Sequence, residues 1–549
     1  MSRPSPRCSR CFIAICAALS IVCSYAVGQS SGEATLSAQE TSGKEIYRKG
    51  HAGPNGEIKA FLPNSDSALS GKNFACSNCH GATGAGTSEG GLKPPPLDWE
   101  TLSAGHTSAL SGRTREPYNE STLIRAITNG IDASGAPLHR SMPRYQLTEA
   151  QASSLIAYLK VLGKLEDHDP GISESKITVG AALPLSGPLA SVGEDIRAVL
   201  LAYFKQVNDA GGIYGRSVEL AVEDSRVDAS GTLAATRRLI EVHKVFALVA
   251  GFEPAASDAL LMGSEVPLIG PATLSPHVTI PPNRFVFYLL PTFSDQARCL
   301  ADYVNAEASR QQGSVDAGQV NSPRTAHPRL AVIHSKGDFN EDATAGLIAQ
   351  ARLHSLKVAG DLGFESGQFS VDDAYAMLVR TKPEYVFFFG NQKDIKSLAS
   401  KVAREKRDVR IATSMAMLGR DAFDLPKSVA RTLLLAYPAA LPGKDDFGEL
   451  IALMKKSDDV VRSPAFQALA YAGAKLFVEA AKRSGRQISR AGLIGSLEQL
   501  RDFATGVMPP LTFGPNRRVG ARGCYVVRAD ADDMRYVALT DWRAVQEAP

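Results

Sequence analysis

The sequence predicts a two-part chain, a small all-α domain followed by a larger, two-lobed α/β domain. Three observations carry this. Residues 29 to about 165 are rich in Gly, Pro, Ser and Thr, with short helical patterns and few strand-like runs. Residues 164–175 are polar and broken by Pro170 and Gly171, as a linker would be. From residue 176 onward short apolar runs alternate with helical patterns, which is how a parallel-sheet domain reads. The expected division is a leader over 1–28, a first domain over 29–165, a linker over 166–175 and a second domain over 176–549. The alternation restarts at Leu330–Ile333 and at Tyr385–Phe389, so two lobes are expected. The first covers about 176–292 and 437–510, the second about 293–436 and 511–549.

The leader shows Arg3, Arg7 and Arg10 ahead of an apolar run from Phe12 to Val27, then small residues such as Ala26 and Gly28. That is the pattern of a cleaved secretion signal. The run falls short of the roughly 18 residues a spanning helix needs, and Val22 is too bulky before Cys23 for a lipid-anchor signal. Export fits the cysteines. Four of the eight lie in the leader, Cys76 and Cys79 form a pair, and Cys299 with Cys524 could be bridged or separately buried. A net charge of +3 with 21% charged residues calls for no nucleic-acid partner and no membrane-surface partner.

In the first domain, Gly43 to Gly50 reads as a short helix with Ile46 and Tyr47 inward. Glu120 to Asn129 places Leu123, Ile124 and Ile127 at helical spacing. Thr148 to Gln151 is a capping box opening a helix with Leu155, Ile156, Leu159 and Leu162 on one stripe. In the second domain, strands are expected at Ile177–Leu185, Val218–Val222, Val245–Ala250 and Val266–Ile269. Helices are expected at Ile196–Val207, Leu233–Val242 and Ala255–Met262. Residues 306–328 read as a polar, structureless surface insertion.

Cys76-Ser-Asn-Cys79-His80 is a C-x-x-C-H motif. Two thiols one helical turn apart can add to the two vinyl groups of one porphyrin, and the next histidine faces the iron. A zinc site would need two further close ligands, which do not follow. A thioredoxin-like pair would need βαβ flanks, and these are not. For the other face of the iron, Met142 leads, in a Pro/Gly-rich loop before the last helix. His139 is its rival, and His51 and His106 are weaker ones.

Gly43 to Tyr47, Cys76 to Gly81, Pro96-Leu97, Gly130, Met142-Pro143 and Tyr158 to Lys160 together resemble a class I cytochrome c. The resemblance implies one covalently attached haem c with His80 and Met142 as axial ligands, attached outside the cytoplasm.

Residues 176–549 resemble the type I periplasmic solute-binding proteins of the branched-chain amino-acid family. The matching text is Ile177 to Pro188, Asn208 to Gly212, Gly215-Arg216, Val222 to Asp224, Pro267 to Thr273, Ser275-Pro276, Ala468 to Ala481 and the Phe513 stretch. The resemblance implies two Rossmann-like lobes closing on a small polar ligand. The implied ligand-binding residues are Gly251, Phe252, Glu253, Thr273 and Ser275 in the first lobe, and Asp338, Phe339 and Gly390 in the second. Leu274 stands where a small hydroxyl residue is usual, Glu253-Pro254 where serines are, and Asn340-Glu341-Asp342 where Tyr-Gly is.

The leading expectation is a periplasmic electron-transfer cytochrome whose second part binds a small molecule or docks a redox partner, a dehydrogenase or an oxidase. The alternatives are a solute-binding component for an ABC permease with an accessory haem, and a haem-linked ligand sensor. No paired carboxylates and no nucleophile elbow suggest an enzyme.

Overall fold

The computed structural model describes residues 36–546 except 53–55, 64, 66, 82, 87–93, 108–113, 165–166, 227, 253–256, 274–275, 277, 280, 316–327 and 442–446. The expected leader lies outside the described residues, as do Glu253, Leu274 and Ser275.

Among the described residues the first domain has five helices: α1 (Ala38–Lys49), α2 (Cys76–His80), α3 (Trp99–Ser103), α4 (Glu120–Asn129) and α5 (Glu149–Val161). Capping boxes open three of them, Ser37 with Glu40, Asn119 with Thr122, and Thr148 with Gln151. Gly50 and Gly130 close α1 and α4 in the left-handed conformation. Helix α1 crosses α5 so closely that a Cβ on Gly43 would collide with the Ser154 carbonyl and lie 2.7 Å from Tyr158 Cβ. Ile46, Tyr47, Leu123, Leu155, Ile156 and Leu159 form the core there.

The domain also carries short strands that the apolar pattern does not announce. β1 (Lys59–Phe61), β2 (Leu69–Ser70) and β5 (Arg144–Gln146) make a three-stranded antiparallel sheet, and β3 (His106–Thr107) pairs with β4 (Thr114–Arg115). At two or three residues each, they are too short for alternation to register.

The first lobe is built on a five-stranded parallel sheet in the order β10-β9-β8-β6-β7. Its strands are β6 (Lys176–Leu183), β7 (Ser217–Asp224), β8 (Ala247–Val249), β9 (Leu268–Ile269) and β10 (Val286–Phe287), connected by α6 (Ala190–Asp209), α7 (Ala229–Glu241) and α8 (Asp258–Ser264). Most of β6 is buried, as a central strand covered on both faces should be.

The second lobe holds α9 (Phe293–Val315), β11 (Arg329–Ser335), α10 (Asp338–Leu353), β12 (Lys357–Phe364), α11 (Val371–Thr381), β13 (Tyr385–Phe389), α12 (Gln392–Arg404), β14 (Arg410–Ser414), α13 (Met415–Leu418), α14 (Lys427–Ala430) and β15 (Leu434–Tyr437). The chain then returns to the first lobe as α15 (Gly448–Lys456), α16 (Pro464–Arg483) and α17 (Arg490–Glu498), with α16 packed on α6, β8 and β9. It ends in the second lobe with β16 (Gly523–Asp530), β17 (Arg535–Ala538) and β18 (Arg543–Ala544). The second sheet runs β12-β11-β13-β14-β15-β16-β17, parallel as far as β15 and antiparallel after it.

Two expectations change. Residues 511–521 lie along the first lobe rather than the second. Phe513 packs edge-on to Phe287, Val519 bridges Tyr288, and the chain re-enters the second sheet only at Gly523. The insertion expected from 306 begins as helix, because α9 continues to Val315 through Ala306, Glu307, Ala308 and Arg310, which are good helix formers.

The segments between the lobes are tied side by side. Gly520 N–H donates to Tyr288 O (2.9 Å), Ala521 N–H to Leu289 O (3.1 Å), and Arg522 pairs with buried Asp295 (2.9 Å). Cys299 of α9 and Cys524 of β16 are joined in a disulfide, with Cα atoms 6.3 Å apart.

Candidate functional site

Helix α2 places Cys76 and Cys79 three residues apart, hence on one face, with His80 at its last position. Neither thiol is in a disulfide. Burial pushes the Cys76 thiol up to about 12. A reactive redox thiol is shifted in the opposite direction. Among the described residues, no group of three or more His, Cys, Asp or Glu is placed to hold a metal ion.

His80 is buried, and its Nδ1 lies 3.2 Å from Pro95 O. A carbonyl can only accept, so Nδ1 carries the proton and Nε2 keeps its lone pair. Burial also lowers the pKa of His80, against the opposing pull of Pro95, and favours the neutral ring. The following loop is folded back on this helix. Gly86 N–H donates to His80 O (2.8 Å), Leu97 N–H to Gly84 O (2.8 Å), and Tyr47 Oη to Gly81 O (2.7 Å).

Met142 is half-buried against the same core that receives Cys76. Its loop is tied to the attachment segment, since Tyr145 Oη donates to Phe74 O (2.6 Å), two residues before Cys76. His139 is exposed and its Nδ1 is engaged by Ser141 Oγ at 2.7 Å. His51 sits at an isolated bridge with Glu57, and the His106 side chain lies outside the described residues. Two thiols at helical spacing, one oriented imidazole nitrogen and a half-buried thioether form a donor set that fits a covalently held haem.

The segment expected as a free linker is a seam. Asp167 is buried and accepts from Tyr158 Oη (2.9 Å), Gly163 N–H (3.2 Å) and Lys44 Nζ (3.0 Å). Asp169 pairs with Arg48 of α1 (3.6 Å) and accepts from Arg490 N–H at the first turn of α17 (2.6 Å). An anion there also meets the positive end of the helix. The Arg490 guanidinium donates to Phe246 O, Val245 O and Ser264 O at 3.0, 2.8 and 3.1 Å. Gly171, at φ +85°, lies so close to the first lobe that a Cβ would collide with the Phe246 amide.

The expected ligand residues stand at the other end of the same strands. Gly251 and Phe252 follow β8, with Phe252 N–H donating to Ala182 O (2.9 Å) and Ala272 N–H to Gly251 O (2.9 Å). Ala250 holds φ +53° just before them. A non-glycine there costs on the order of 1–3 kcal/mol and is typical of functional loops. Thr273 follows β9. In the second lobe, Asp338 and Phe339 open α10 after β11, and Gly390 follows β13, packed against Phe388 and Phe364. Nothing is described of the Asp338 side chain. The carboxyl ends of both sheets therefore carry the described candidates, where α/β sheets bind ligands. Val245 stands just before β8 and Gly251 just after it. The haem-domain seam and the cleft face thus occupy opposite ends of β8.

Two residues on this face carry no mark in the sequence. Phe466 of α16 stacks on Phe252 with ring centroids 6.2 Å apart and planes at 23°. Phe293 of α9 meets Phe339 edge-on at 6.5 Å. Both sit in the first turn of a helix, a position that no local motif signals. Behind Gly251 and Phe252 a cavity of about 10 Å³, lined also by Ser257, Leu261 and Leu268, has room for no more than a water.

Comparison with known proteins fits these two parts. The family described as "Periplasmic binding protein" matches residues 176–534, and "Cytochrome c" matches residues 68–163. A leucine-, isoleucine-, valine-, threonine-, and alanine-binding protein of Pseudomonas aeruginosa is 22% identical over 236 residues, 43% of this chain and 59% of that protein. A Leu/Ile/Val-binding protein homolog 3 of Brucella melitensis is 26% identical over 168 residues, 30% of this chain and 41% of that protein. The chain thus spans about half the length of these relatives. Among solved structures, a putative branched-chain amino acid ABC transporter from Silicibacter pomeroyi superposes with a TM-score of 0.54 at 15% identity, covering 67% of this chain and 96% of that one. A type 1 periplasmic binding protein from Bordetella pertussis gives 0.51 at 17%, covering 66% and 100%. At such identities the likeness is one of fold.

Proposed function

Since the chain belongs to the periplasmic binding protein family and carries a cytochrome c domain ahead of that part, we propose that it is a periplasmic monohaem c-type cytochrome joined to a small-molecule-binding domain. Cys76 and Cys79 would tether the porphyrin, and His80 through Nε2 and Met142 through its thioether would hold the iron. The bound haem supplies a reversible one-electron carrier. The observation that carries this reading is the hydrogen bond from His80 Nδ1 to Pro95 O, which fixes the tautomer that a ligating histidine needs.

The binding domain takes a small ligand between its lobes, with Gly251, Phe252 and Thr273 facing Phe339 and Gly390. The chain acts by carrying electrons and binding rather than by catalysis, and its partners are a periplasmic dehydrogenase or oxidase. The names of the relatives favour a second reading, in which the domain delivers a solute to an ABC-type permease and the haem is accessory. Placement of the seam and the cleft at opposite ends of β8 weighs against a ligand that touches the haem.

The reading is tested by the absorption spectrum of the reduced full-length protein, expressed with haem-maturation machinery. Wild type and His139→Ala show six-coordinate, low-spin bands, and Met142→Ala loses them. Intact low-spin bands in Met142→Ala would defeat the assignment.

A further inference from the structure

We infer that the interlobe cleft takes an uncharged aromatic molecule of about one ring, recognised by phenylalanine faces from both lobes. This inference rests on the reading of the second domain as a small-molecule binder and names the class of its ligand.

Four rings carry it. Phe252 and Phe466 come from the first-lobe side, Phe293 and Phe339 from the second. Phe339 is 47% exposed although it is a large apolar side chain in the first turn of a well-packed helix. Phe252, Phe466 and Phe293 are half-buried, so each packs one face and leaves part of the ring open. Phe252 and Phe339 occupy two of the positions at the carboxyl ends of the parallel strands, while Phe293 opens α9 and Phe466 stands in the first turn of α16. Closure of the lobes would bring ring faces from both sides onto one occupant. A pair of near-parallel rings on one side and an edge-on pair on the other offer both geometries that aromatic rings prefer.

Charge points the same way. Two of the basic side chains near these rings along the chain are already paired, Lys336 with Glu365 (2.6 Å) and Arg462 with Asp195 and Asp459 (3.0 and 2.8 Å). Asn340, next to Phe339, is neutral, and its amide donates to Ser335 Oγ at 2.7 Å. A free carboxylate would have to displace a partner of Lys336 or Arg462 to pair with either, whereas a neutral ring with one hydroxyl group needs no cation.

The test is calorimetric titration of the full-length, haem-loaded protein with benzyl alcohol, cyclohexylmethanol, benzoate and L-leucine. Benzyl alcohol binds best, and its saturated analogue binds several-fold more weakly. Phe339→Ala, at an exposed position, and Phe252→Leu each weaken benzyl alcohol by about 3- to 10-fold, the range expected for one aromatic contact. Unchanged thermal midpoints show that the variants fold. Binding of L-leucine or benzoate in preference to benzyl alcohol overturns the ligand class and leaves the binding domain standing. Binding by none of the four overturns the class as well, and a further absence of heat with a mixture of the twenty amino acids removes the binding reading itself. Benzyl alcohol binding that both variants leave unchanged overturns the placement at these rings.

Discussion

Replacing Asp169 with alanine should uncouple the two domains. In the structure its carboxylate serves both, pairing with Arg48 at 3.6 Å and accepting the Arg490 N–H at 2.6 Å, with only 10% of its side chain exposed. Alanine leaves that N–H without its acceptor, a loss of about 1–3 kcal/mol for a buried donor. It also leaves Arg48, which is 19% exposed, with only the longer 3.8 Å pairing to Asp167. Partial exposure discounts that second contribution, so the total should be about 2–4 kcal/mol. The Asp169→Asn variant keeps an acceptor for the N–H and should recover about 1 kcal/mol of it. Urea unfolding is followed by haem absorbance for the first domain and by far-ultraviolet circular dichroism for the whole chain. The two curves coincide in the wild type and separate in Asp169→Ala, the haem signal moving to lower urea. Coincident curves in the variant, with a change below about 0.5 kcal/mol, would refute the seam.

Further outcomes follow from other contacts. His168 in the same seam has its pKa lowered below the usual 6.5, chiefly by burial and also by Arg216. The unfolded chain therefore takes up a proton first, and stability present above about pH 6.5 falls as pH drops through that value towards the folded pKa. His168→Gln should flatten this slope in a pH series of urea midpoints. Removing the Cys299–Cys524 bridge by the double serine variant should cost about 2–5 kcal/mol, read by guanidinium unfolding, and should lower the second lobe's transition. Gly43→Ala should destabilise the first domain by about 1–3 kcal/mol or more, because the added methyl meets the Ser154 carbonyl. An unchanged thermal midpoint would contradict that crossing.

Much of this was legible in the sequence because it is local. The C-x-x-C-H spacing, the Thr148 to Gln151 box and the apolar runs of β6 and β13 each announce themselves within a few residues. What escaped depends on distant parts meeting. Residues 164–175 look like a tether because they are polar and carry a Pro-Gly break just after Asp167 and Asp169, yet the partners of these acids, Lys44, Arg48 and Arg490, lie far away in sequence. Residues 511–521 read as part of the second lobe because their true neighbour is remote, the pairing of Val519 with Tyr288 spanning more than two hundred residues. Phe466 and Phe293 carry no local signal, since only the folded chain sets them beside Phe252 and Phe339. The cysteine count allowed a bridge between Cys299 and Cys524 but said nothing of the 6.3 Å that permits it.

The most direct measurement is the intact mass and colour of the mature polypeptide, produced in a host with haem-maturation machinery. The proposal predicts a red protein carrying the added mass of one porphyrin, retained after denaturation and lost when both Cys76 and Cys79 are replaced by alanine. A colourless polypeptide of unmodified mass, or colour that washes away on unfolding, would contradict it.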